Sequence, residues 1–159
     1  MHSWRLWSVR LAEWAPDVAL LALRVWVGQE FLLAGWTKLA GGWQVPQWFA
    51  DLTFPWPQVL LDAQFNWVLA GVGELALGLA VLLGLCTRWA ALGLLYVTFV
   101  AVAAVHFELG WAGWNQIETD AGQGFKVPLM LALMLWALLM QGGGRLSLSW
   151  VWPGGRHAR

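Results

Sequence analysis

One cysteine stands in the whole chain, Cys86. It excludes an intramolecular disulfide and every C-x-x-C redox or zinc motif. Charge is scarce as well: 11% of the residues are charged, with nine basic against nine acidic side chains and a net charge of zero. That balance offers no basic surface to nucleic acid. No internal repeat and no low-complexity segment is present. A cleavable signal peptide is not expected, because the first apolar run starts near Val18, is long enough to span a bilayer and follows Glu13 and Asp17.

What abounds is apolar surface. The chain is 60% hydrophobic and holds 15 Trp among its 159 residues, with a mean hydropathy of +0.60. A soluble domain of this length could not cover that surface. The class is therefore all-α and integral to a membrane. The architecture expected is a four-transmembrane-helix bundle with an N-terminal interfacial helix.

Its centre is the run from Phe65 to Leu85, which carries one ionisable group, Glu74. At ~1.5 Å per residue, its ~31 Å of helix matches about one bilayer core. A carboxylate at that depth is costly unless it is neutral, paired or turned to a polar interior. Ala70, Gly71 and Gly78 share its helix face. Small residues of this kind mark packed faces between membrane helices, so Glu74 is expected inside the bundle.

Three further spans are read: residues 18–39, 89–107 and 125–140. The first holds Arg24, mid-membrane Glu30 and terminal Lys38, with Gly28 and Gly35 seven apart. Arg24, Glu30 and Glu74 form a candidate buried charge network, with Arg24 or Lys38 as the partner of Glu74. Before the first span, Trp4, Trp7, Leu11 and Trp14 make one helical stripe, so residues 1–17 read as an amphipathic segment lying in the interface. Pro16 and Asp17 then signal a new helix start. Residues 40–64, broken by Gly and Pro among Trp and Phe, read as an interface-hugging loop with a short helix near Gln47–Leu52. Pro57 is read as a possible first-turn residue of the second span. The domain plan is 1–17 interfacial, 18–150 four-span and 151–159 a basic cytoplasmic tail.

Six Lys or Arg fall on the side of both termini and the Cys86–Arg88 turn, against Lys38 and Lys126 on the other side. The excess of positive charge places both termini in the cytoplasm of a bacterial inner membrane.

Several motifs in order resemble the DoxX family of small four-helix bacterial membrane proteins. They are Arg24 with Gly35-Trp36-Thr37-Lys38-Leu39, then Glu74 ahead of Leu83-Gly84-Leu85-Cys86-Thr87-Arg88, then His106, then Gly144-Arg145-Leu146-Ser147-Leu148. The likeness covers roughly residues 18–150. Trp48-Phe49 and His106 through Trp111 look most like the branch associated with copper-responsive peptide operons. Ser149 stands where the family pattern has an acidic residue. The family takes its name from a subunit of a thiosulfate:quinone oxidoreductase, so the resemblance admits a quinone as cofactor.

Three functions follow. In the first, the chain is an accessory subunit of a larger membrane redox or stress complex, without its own redox centre, and its charges are internal glue. Its partners are then membrane lipid and other subunits, or further copies of itself. In the second it is a quinone-binding subunit, with Trp36, Lys38, His106, Glu108 and Trp111 as candidate ligand-binding residues at the periplasmic end. In the third, His106 and Glu108, with Glu118 or Asp120, handle a metal or small molecule there. Their spacing fits no compact metal motif, and carboxylates with one imidazole suit Cu(I) poorly.

Overall fold

The computed structural model describes the backbone of residues 3–151 and the side chains of 13–150. The side chains of the Trp4–Trp7–Leu11 stripe lie outside the described residues. So does the basic tail beyond Val151.

Helix α1 runs from Ser3 to Ala40 without a break, and Pro16 lies inside it. The expected helix start at Pro16 and Asp17 is thus not a boundary. Asp17 is not a cap but the partner of Arg145, whose backbone N and Nε each donate to it at 2.6 Å. A four-residue helix, α2 (Gln47–Ala50), and a 3-10 turn (Gln58–Leu60) follow. Helix α3 spans Ala63–Leu83. It starts later than Pro57, because Asp62 caps it by accepting from the Phe65 amide at 2.7 Å. It ends at Gly84, whose φ of 73° is the left-handed conformation that closes a helix.

Helix α4 (Thr87–Ala101) continues into a π-helical turn, Val102–His106. Residues 107–125 then fold as a 3-10 helix (Gly110–Asn115) and a small antiparallel hairpin, with β1 (Glu118–Thr119) paired to β2 (Gly122–Gln123). Helix α5 (Lys126–Gln141) and the short α6 (Leu148–Val151) complete the order.

Among the described residues, three stretches are long and apolar enough to cross a membrane: Glu13–Ala40, Ala63–Leu83 and Thr87–His106. The fourth, α5, is apolar but has 16 residues. That is ~24 Å of helix against a ~30 Å core. The folded loop 107–125 stands over its start, where Phe107, Trp111 and Phe125 pack ring on ring.

The four long helices form a ring in chain order, α1–α3–α4–α5, around Leu20, Val27, Val81, Leu94, Leu135 and Leu138. The α1–α3 seam is the most extensive and the α1–α5 seam the thinnest. Hydrogen bonds close that thin seam at the end of the bundle nearer the termini. Asp17 holds Arg145, whose guanidinium also reaches the Glu13 carbonyl and lies 4.5 Å from the centre of the Trp14 ring. Ser149 donates to the Gly84 carbonyl at 2.7 Å and accepts from the Cys86 amide at 3.1 Å. Ser149 therefore serves as both donor and acceptor, which a carboxylate could not do.

Candidate functional site

Helices α1 and α3 run antiparallel and approach at two glycine pairs. A Cβ on Gly28 would lie 3.1 Å from the Gly78 carbonyl oxygen, and one on Gly35 would lie 2.7 Å from that of Gly71. Each pair member is seven residues from the next on its own helix. The register is thereby fixed, and it puts residue 32 opposite Glu74 and residue 68 opposite Lys38.

Side chains on a helix lean toward its N-terminus. Glu74 therefore leans toward the loop end of the bundle, and Lys38 leans inward from that end. They meet: Lys38 Nζ lies 2.7 Å from Glu74 Oε2 and 3.0 Å from Oε1. The Glu74 side chain is 7% exposed and that of Lys38 22%. Glu74 thus faces the bundle interior, as its glycine neighbours suggest, and takes one of the two partners expected for it.

Arg24 is not that partner. The same register sets it beside residue 82, about 12 Å along the axis from the level of Glu74 at ~1.5 Å per residue. It is 1% exposed, and its Nη2 donates to the Leu146 carbonyl at 2.7 Å. Nε and Nη1 have no hydrogen-bond partner among the described residues. A Cβ on Gly84 would fall on Nη1, so the guanidinium packs against the last turn of α3. A cation there is favoured by the negative end of the helix dipole. Glu30 does share the depth of Glu74, lying opposite residue 76, but not its face. It forms no ion pair or hydrogen bond among the described residues. The expected network of Arg24, Glu30 and Glu74 is therefore three separate places.

The candidate ligand-binding set is likewise divided. Lys38 belongs to the ion pair. Trp36, 65% exposed, lines an apolar groove of about 620 Å³ between α1 and α3, with Leu39, Trp43, Val72, Leu75 and Leu79. Glu108 Oε2 accepts from the Gln123 amide at 2.7 Å and so fastens the hairpin. His106, half-buried at the end of the π turn, has the Gln123 side chain and the Glu108 charge as its polar neighbours. Trp111 packs on Phe107 and Phe125. No hydrogen bond, ion pair or ring contact among the described residues joins this outer group to Lys38 or Trp36. Nor do three His, Cys, Asp or Glu side chains come together there in a metal-holding group.

Sequence reasoning did not single out a polar group at the loop end of α3. Asn66 donates to the Gln58 carbonyl at 3.0 Å, and Tyr96 donates to the Gln58 side chain. Trp67 is buried against Phe49 and Trp48. Trp67 shares a helical stripe with Gly71, Glu74 and Gly78, and that stripe was the available signal for its burial.

Fold and site together define a helical membrane protein whose longest helix seam is closed on glycines and tied by one buried ion pair. A family model described as DoxX matches residues 19–107, from the first span to just beyond His106. An uncharacterized protein of Haemophilus influenzae is 35% identical over 133 residues, covering 82% of this chain and 81% of that protein. The chain belongs to the DoxX family. No solved structure matches it.

Proposed function

We propose that this protein is an accessory subunit of a larger membrane assembly of redox or stress function and supplies no redox centre itself. What supports the reading is how the ionisable side chains are used. Both oxygens of the Glu74 carboxylate bond Lys38, Asp17 bonds Arg145, and Arg24 lies under the last turn of α3. These groups tie the chain to itself, as a scaffold requires. The test is purification from the native membrane in mild detergent, followed by mass spectrometry of the intact particle. A protein partner at fixed stoichiometry is expected. A lone chain in every detergent that preserves its fold overturns the reading.

A second reading, a quinone-binding subunit, draws on the apolar groove walled by Trp36 and Trp43. Mainly apolar walls suit a flat ring or a prenyl tail. Quinone at near-unit occupancy in the same preparation would favour it.

We place both termini in the cytoplasm of a bacterial inner membrane and the loop end in the periplasm, on the six-to-two distribution of Lys and Arg. A reporter that works only in the cytoplasm is expected to be active after Arg159. One that works only in the periplasm is expected to be active near Gly122. The reverse result at either site overturns the orientation.

A further inference from the structure

Resting on the subunit reading, we infer that the flank of α1 carrying Glu30 docks a transmembrane helix of another membrane protein, one that presents a lysine or arginine at mid-membrane depth. Glu30 lies ten residues before Ala40, the end of α1, and is partly buried. Gly28, Phe31, Leu32, Gly35 and Leu39 of α1 meet α3, beside the Lys38–Glu74 pair. At ~100° per residue, Glu30 is roughly 160° round the helix from both Gly28 and Leu32. Of its neighbours one turn away, Trp26 and Leu33 on the outer side are 55% and 60% exposed, while Val27 on the inner side is fully buried. The Thr37 hydroxyl two turns on is turned back to the Leu33 carbonyl at 2.8 Å. The flank thus presents a carboxyl acceptor in a largely apolar surround, with no donor bonded to it among the described residues.

Hydrocarbon offers such a group nothing, and ionisable residues at this depth ordinarily face protein. Among the described residues, the chain's own cations do not meet it. Lys38 is bonded to Glu74, Arg145 to Asp17, Arg24 to the Leu146 carbonyl and Arg88 to the Met140 carbonyl. Lys126, the first residue of α5, makes no ion pair with it. A second copy related by a two-fold axis through this flank would set Glu30 against Glu30. Charge complementarity therefore favours a different chain carrying a cation.

The test uses the full chain in its host membrane, with the photo-crosslinking residue p-benzoylphenylalanine replacing Leu33, and replacing Leu79 on the groove side as control. Leu33 is expected to give an adduct with one membrane protein, mapped to a transmembrane helix beside a lysine or arginine, and Leu79 is not. Glu30→Lys is expected to reduce that adduct ~tenfold or more, because like charges facing across an interface are strongly unfavourable. Reversal of the partner's basic residue to Glu is expected to restore it. If Glu30→Lys fails to insert, Glu30→Leu removes the acceptor without adding charge, and loss of the adduct is still expected. Adducts with lipid alone, or with a second copy of this chain, overturn the inference, as does a partner adduct indifferent to both Glu30 variants. A complex that persists at full stoichiometry with Glu30→Lys overturns this docking face and leaves the subunit reading standing. A chain that is never in a complex removes both.

Discussion

Lys38→Met is expected to destabilise the folded protein by about 3–5 kcal/mol, the usual cost of removing one partner from a buried ion pair. Glu74 is then left under a seam of packed helices with neither of its oxygens bonded to Lys38. Glu74→Ala is expected to cost less. The Lys38 side chain is 22% exposed and sits near the end of α1, so its ammonium can turn back to the headgroups when Glu74 is gone. Glu74, 7% exposed and mid-helix, has no such route. The double variant Lys38→Met/Glu74→Leu is expected to regain most of the loss, since an apolar pair of similar volume often matches or exceeds a buried ion pair. Thermal unfolding in detergent, followed by the monomer peak on size exclusion, measures all three. A double variant as weak as the sum of the singles would show that the pair is not a coupled unit. Equal losses for the two singles would remove the argument from depth.

That pair also shows how far the sequence can be read. The burial of Glu74 was legible because Ala70, Gly71 and Gly78 mark its face within one helix, and helical periodicity is local information. The choice between Lys38 and Arg24 was not. It depends on the axial register of two helices, which is set by glycine contacts between residues 28 and 78 and between 35 and 71. Depth alone also brought Glu30 and Glu74 together on paper, yet they occupy different faces. The Pro16–Asp17 pair looked like a helix start because Pro and Asp favour one. Asp17 is instead fastened to Arg145, 128 residues away, and nothing local announces that pairing. His106 closes the π turn after α4, with Glu108 and Trp111 just beyond it. The loop 107–125 then folds on itself, so Glu108 turns to Gln123 rather than to α1. Helix and span existence came from hydropathy, whereas the closing bonds of the ring lie between segments far apart in sequence.

The second large effect is expected at Gly35. A Cβ there would lie 2.7 Å from the Gly71 carbonyl oxygen and 2.9 Å from the Leu75 backbone nitrogen. Both are helix backbone and cannot swing aside, so Gly35→Ala must push α1 away from α3. Overpacking of this kind costs about 1–3 kcal/mol, and Gly35 belongs at the upper end because the shift also draws Lys38 from Glu74. Gly71→Ala is expected to be milder. Its nearest contact is the Leu39 side chain at 2.8 Å, which can change rotamer. Gly73→Ala is the counter-case on the same helix: nothing lies within 4 Å of its Cβ position. Replacing glycine by alanine inside a helix gains up to about 1 kcal/mol where space allows, so that variant is expected to unfold later than the parent. The three substitutions add the same methyl group, and only the neighbours differ. Unfolding temperatures in one detergent should therefore rank Gly73→Ala above the parent, then Gly71→Ala, then Gly35→Ala. The Gly35→Ala loss should also shrink in the background of Lys38→Met, because the ion pair it disturbs is already gone. A Gly35→Ala variant as stable as Gly73→Ala would mean that the two helices do not cross where the glycines place them.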